Sequence, residues 1–134
     1  MTDLTLIIVG ITSNLAQIKL IPTLYDLIAG GHLSDKTRII GVGRTPMDEV
    51  GFADFIDRVL HTPNRHHTHP IDPMVQAKLL SQLIYLPADL TNKDSYNSLE
   101  TLLSTTPSNR LFYLATFPSL YESIFTNLKS ANLI

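Results

Sequence analysis

Four short apolar runs, each followed by a stretch with helical spacing, leave this chain few ways to fold. Residues 4–9 (LTLIIV), 37–42 (TRIIGV), 83–86 (LIYL) and 111–115 (LFYLA) are rich in β-branched, aromatic and leucine side chains. The first is apolar on both faces, as a strand buried within a parallel sheet reads, and Gly10 ends it. Residues 14–29 then place Leu15, Ile18, Ile21, Leu24, Tyr25 and Ile28 at helical spacing, with Ser13 or Asn14 as the cap and Gly30-Gly31 as the stop. Pro22 is expected to kink or break this helix. Asp48 and Glu49 suit a second helix start, where the dipole favours negative charge, and Phe52, Phe55, Ile56, Val59 and Leu60 form its apolar stripe. Residues 61–73 read as a polar loop and residues 75–81 as a short helix. Residues 92–103 read as a further helix, and Pro118 or Ser119 opens a last one carrying Tyr121, Ile124, Phe125 and Leu128.

Strands alternating with helices imply a parallel sheet with right-handed crossovers. The expected fold is α/β: a Rossmann-like, three-layer α/β/α arrangement with a mainly parallel sheet in the order 3-2-1-4. The 134 residues make one domain, 1–134, large enough to bury roughly two-thirds of the surface of the unfolded chain. Hydrophobic residues at 44% and charged residues at 16% are a globular, not a disordered, balance. A net charge of -2 carries no basic stripe for nucleic acid. The absence of cysteine excludes disulfides, thiolate metal sites and thiol catalysis. The apolar start lacks a preceding positive charge, and no run reaches the ~18 apolar residues of a membrane helix. A soluble, cytoplasmic protein without membrane or nucleic-acid partners is expected. The open sheet edges make a homo-oligomer plausible.

Two turns carry the chemistry. Gly10-Ile11-Thr12-Ser13-Asn14-Leu15-Ala16 lies between the first strand and the first helix. In a dinucleotide fold this turn takes the pyrophosphate, because small residues admit the backbone and the helix start offers free N–H groups. A single glycine there is a weak signal by itself. Gly41-Val42-Gly43-Arg44-Thr45 follows the second strand. At that position an acidic side chain suits the ribose 2′-hydroxyl of NAD, and an arginine suits the 2′-phosphate of NADP. The always-charged guanidinium fork of Arg44 favours NADP, although a solvated surface arginine is the bland alternative.

Read together, these pieces resemble the glucose-6-phosphate dehydrogenases. GITSNLAQIKLIPTLYDL (10–27) is similar to that family's opening turn and helix, G-A-S-G-D-L-A-x-x-K-L-x-P-A-L-Y-x-L. IIGVGR (39–44) resembles its second strand and arginine. YLPADLTNKDSYNSLETLL (85–103) is similar to its third strand and following helix. NRLFYLATFPSLYESIFTNL (109–128) matches its N-R-L-F-Y-L-A-x-P-P-S-x-x-x-x-I-x-x-x-L. The four segments stand in the family's order and span nearly the whole chain.

The resemblance implies an NADP-dependent oxidation of glucose 6-phosphate to 6-phosphogluconolactone in the oxidative pentose phosphate pathway, this chain supplying the cofactor-binding part. It implies Gly10, Thr12, Ser13, Asn14 and Leu15 at the cofactor turn and Arg44 at the adenosine 2′-phosphate. It places Ala115 and Pro118 at the turn toward the nicotinamide, and Lys19 on the substrate or nicotinamide side. Lys19 also reads as a solvated helix lysine. Ser13 and Asn14 stand where the family has glycine and aspartate, Gln17 and Ile18 replace the first residues of its basic run, and Phe117-Pro118 replaces Pro-Pro. The family's Glu-Lys-Pro strand and its later segment with aspartate, histidine, tyrosine and lysine have no counterpart in the 134 residues. No catalytic residue is therefore assigned, and the chain alone is expected to lack dehydrogenase activity. The alternative is a non-catalytic truncated or diverged relative that keeps the fold as an interaction module.

Other signals carry less. His61, His66, His67 and His69 crowd one loop, but no ligand spacing accompanies them, and no metal site is assigned. Ser13, Ser95 and Ser119 lie in no nucleophile elbow. The aromatic residues fall at core spacing and read as packing. Asp89 follows the third strand, where it faces a ligand or caps the next turn.

Overall fold

β1 (Thr5–Val9) is the centre from which the rest is built, and four of its five residues, Thr5, Ile7, Ile8 and Val9, are buried. The computed structural model describes residues 4–63, 70–106 and 109–134. β2 (Arg38–Gly43) pairs with β1 in parallel from Thr5↔Arg38 to Val9↔Val42, and β4 (Arg110–Leu114) pairs on its other side from Thr5↔Arg110 to Val9↔Leu114. β3 (Leu83–Pro87) adds to β2 from Ile39↔Leu83 to Gly43↔Pro87. The order is β3-β2-β1-β4, as the sequence predicts.

The pleat sends alternate residues to opposite faces, and each face has its own core. Ile8 and Ile39 pack with α1 (Ile21–Ala29), α2 (Glu49–His61) and Leu79 of α3 (Pro73–Gln82). Ile7, Val9, Ile40 and Val42 pack with α4 (Tyr96–Leu103) and α5 (Tyr121–Ser130) on the other face. Helices on both faces of a parallel sheet give three layers, and each fully buried Ile or Leu contributes about 1.5–3 kcal/mol.

Pro22 does not break the first helix. A π-helical segment, Ala16–Leu20, precedes α1, and the Ile21 N–H donates to the Ala16 carbonyl, five residues back. A proline lacks an N–H and its ring crowds the carbonyl four residues earlier, so the wider turn accommodates it. Ser13, one of the two expected caps, accepts from the Ala16 N–H at 3.2 Å. Asp48 caps α2 by accepting from Gly51 N–H at 2.7 Å, as expected from its place at the helix start.

The loop expected over residues 61–73 is helical at its two end residues. His61 still belongs to α2, and α3 begins at Pro73 with Asp72 accepting from Met74 N–H. Proline is preorganised for the first helical position, so Pro73 is a start signal and not only a loop residue. His66, His67 and His69 lie outside the described residues. On α5, Ile124 and Leu128 are buried, whereas Tyr121 and Phe125 of the same apolar set are exposed, as is Phe117. These three aromatics are surface, not packing.

Candidate functional site

Gly10 has φ of +92°, a conformation that side chains rarely adopt, and a Cβ there would stand 2.7 Å from the Ala115 carbonyl oxygen. The chain turns here because Gly10 and Ile11 both donate to the Val42 carbonyl, at 2.7 and 3.0 Å, stitching the turn over the end of β2. Ser13 N–H donates back to Gly10 at 3.0 Å, and the Gln17 amide reaches back to the Thr12 carbonyl at 2.8 Å. The turn is thus held from both ends. Ser13 uses a hydroxyl lone pair on Ala16, which leaves its proton available to an anion. The N–H groups of Asn14 and Leu15 have no acceptor among the described residues, the usual state of a helix start.

A cleft of about 880 Å³ opens at the carboxyl ends of the strands, between the β1 turn and the ends of β2, β3 and β4. This is where ligands sit in doubly wound sheets, at the point where strand order reverses between β1 and its two neighbours. Gly10, Thr12, Ser13, Asn14, Leu15, Arg44 and Ala115 all line it. Two other candidates do not. Lys19 is exposed within the π-helical segment, and Pro118 is exposed where it opens a 3₁₀ turn, Pro118–Leu120, before α5.

The walls hold further polar groups, one of them, Asp89, marked by its place after the third strand and another, Thr116, marked by no sequence pattern. Asp89 lines the cleft and also caps its own turn, accepting at one carboxylate oxygen from Thr91 N–H (3.0 Å) and Thr91 hydroxyl (2.6 Å). Those hydrogen bonds lower its pKa from the ordinary carboxylate value, with a smaller contribution from the Arg44 charge. The capping reading of Asp89 therefore holds, and the same side chain lines the cleft. Thr116, beside Ala115, has a buried hydroxyl without a hydrogen-bond partner among the described residues. Arg44 is exposed and makes no hydrogen bond or ion pair among the described residues. The cleft thus combines a helix start and a free guanidinium, two anion-seeking features, with a carboxylate at its third wall.

Among the described residues no three His, Asp or Glu side chains gather to hold a metal ion. No helix among them is long and apolar enough to cross a membrane.

Residues 7–134 match the family described as glucose-6-phosphate dehydrogenase, NAD binding domain. The glucose-6-phosphate 1-dehydrogenase of Zymomonas mobilis is 34% identical over 129 residues, covering 96% of this chain and 26% of that protein. The Bacillus subtilis enzyme of the same name is 31% identical over 131 residues, covering 93% of this chain and 25% of that protein. The chain thus spans about a quarter of the length of the curated relatives it matches. The crystal structure of glucose-6-phosphate 1-dehydrogenase from Mycobacterium avium superimposes with a TM-score of 0.86 at 29% identity, over 99% of this chain and 27% of that one. A glucose-6-phosphate dehydrogenase in complex with its substrate glucose-6-phosphate shares the fold at a TM-score of 0.81 and 24% identity, over 96% of this chain and 27% of that one. The Rossmann-like sheet and the match over residues 7–134 agree: the chain belongs to the glucose-6-phosphate dehydrogenase family, whose NAD binding domain it resembles from end to end.

Proposed function

We propose that this chain is the cofactor-binding part of an NADP-dependent glucose-6-phosphate dehydrogenase of the cytoplasm. The observation that carries the reading is Arg44, an exposed guanidinium just after β2 on the wall of the strand-end cleft, without a hydrogen bond or ion pair among the described residues. The residues fit a dinucleotide. The Gly10 turn admits a close backbone, Ser13, Asn14 and Leu15 offer donors for the pyrophosphate, and Arg44 matches the adenosine 2′-phosphate. Thr12 lines the same turn, Ala115 lines the side assigned to the nicotinamide, and Pro118 lies in sequence between Phe117 and Leu120, which line that side. Bound there, the nicotinamide would accept hydride from C1 of glucose 6-phosphate in the complete enzyme, giving 6-phosphogluconolactone.

The protein's share in these 134 residues is binding and orientation. None of the cleft residues is assigned to proton transfer from the C1 hydroxyl, and Lys19 is proposed for the substrate or nicotinamide side only when the remaining three-quarters of a family enzyme stands over it. The chain by itself is expected not to reduce NADP with glucose 6-phosphate. The test of the site is Arg44→Ala. NADP affinity should fall about tenfold or more, the effect of losing charge-assisted hydrogen bonds, while NAD affinity holds. An equal loss for both dinucleotides would remove Arg44 from the 2′-phosphate role and leave NAD as the better assignment.

A second reading is favoured by the open edge of β4. Leu111 and Tyr113 are 53% and 42% exposed on this edge strand, and Phe125 of α5 is 54% exposed. An unpaired strand edge flanked by apolar side chains is a template for another chain. A diverged, non-catalytic interaction module, self-associating through this edge, would show a dimer in light scattering that Leu111→Lys dissociates. A wild-type monomer at high concentration would end that reading.

A further inference from the structure

Arg44 stands on an exposed segment, Arg44-Thr45-Pro46, that belongs to no strand or helix. Among the described residues, this segment has one hydrogen bond. The Tyr85 hydroxyl, from the neighbouring strand β3, donates to the Thr45 carbonyl at 2.5 Å. Tyr85 is itself held. Its ring lies on Phe52 of α2 with centroids 4.7 Å apart and planes 16° apart, a stacked pair. The neighbouring Gly43 leaves room for it, since a Cβ at 43 would stand 2.8 Å from the Tyr85 hydroxyl and 3.3 Å from Thr12 Cγ2. The Ala88 N–H donates to the Gly43 carbonyl at 2.8 Å and closes the ends of β2 and β3 over the phenol. Burial raises the phenol's pKa, which keeps it a protonated donor across neutral pH.

We propose that Tyr85 is a positioning residue for cofactor choice: through Thr45 it fixes the segment that aims Arg44 into the cleft. A flexible arginine can reach a phosphate from many backbone positions, but each must be ordered at an entropic cost when the ligand binds. A tethered backbone removes part of that cost in advance. The inference rests on the reading of Arg44 as the 2′-phosphate anchor. NAD has no 2′-phosphate, so the tether concerns NADP alone.

The test is Tyr85→Phe in the full 134-residue chain, which keeps the ring against Phe52 and removes only the donor. Calorimetric titration should show NADP binding about three- to tenfold weaker, the range of one lost hydrogen bond, with NAD binding unchanged. Without any ligand, NMR order parameters should fall at Arg44 and Thr45 and hold at residues 10–13. A wild type that prefers NADP, with a Tyr85→Phe variant that keeps the preference, overturns the positioning role and leaves Arg44 in place. Equal weakening of both dinucleotides assigns Tyr85 to general stability and likewise overturns it. A wild type without preference for NADP overturns the Arg44 reading and this inference with it. Unchanged order at Arg44 and Thr45 in the variant removes the tether whatever the cofactor does.

Discussion

The backbone of Gly10 lies against the carbonyl of Ala115, so close that a methyl group on Gly10 would stand 2.7 Å from that oxygen. This approach joins the turn after β1 to the end of β4 and sets the floor of the cleft. Gly10→Ala meets two costs at once, the positive φ and a clash with backbone that has little room to move. The expected loss is about 3 kcal/mol of stability, read as a lower denaturant midpoint with an unchanged slope. A variant within about 0.5 kcal/mol of the wild type would mean that the turn relaxes freely and is no rigid floor.

Ser13 replaces a family glycine, and the structure gives its hydroxyl a task at the helix start. Ser13→Ala should cost about 1 kcal/mol by uncapping Ala16 N–H, and Ser13→Gly only a few tenths. Chemical denaturation of the two variants side by side checks the order. If alanine were as stable as serine, the 3.2 Å contact would carry no capping energy.

Tyr96, the first residue of α4, turns into the core and donates its hydroxyl to the Leu90 carbonyl at 2.7 Å. Burial pushes its pKa up to about 12 from 10.0, with the nearby Asp89 charge adding to the rise and the Asn127 hydrogen bond opposing it. The folded state therefore holds the proton more tightly than the unfolded chain. The stabilisation is whole below pH ~10 and drains away as pH rises toward about 12. Denaturation at intervals from pH ~9 to ~12 should show this slope in the wild type and a shallower one in Tyr96→Phe. Equal slopes would assign the alkaline loss to other groups.

The sheet was readable because its signals are local. Each strand is a run of β-branched or aromatic residues closed by a turn residue, and alternation with helices leaves 3-2-1-4 as the natural order. Gly10 and Arg44 were readable from their places just after strands one and two. What escaped was set by particular contacts, near and distant, that a pattern of residue types does not name. Pro22 signalled a disturbance, but not its form, a π turn closed by the i→i−5 bond from Ile21 to Ala16. Gln17 reads as a lost basic residue, yet its amide pins Thr12. Tyr85 reads as an ordinary strand residue, because its partner Thr45 is forty positions away. Tyr121 and Phe125 have core spacing, but nothing in a helical pattern says that their side of α5 faces outward.

The strand-end cleft is proposed to take a dinucleotide, with Arg44 selecting NADP. Calorimetric titration of the folded wild-type chain with NADP, and separately with NAD, tests it most directly. NADP should bind saturably, one to one, and NAD more weakly. No heat with either dinucleotide, from a sample shown by NMR to be folded, would contradict it and favour the interaction-module reading.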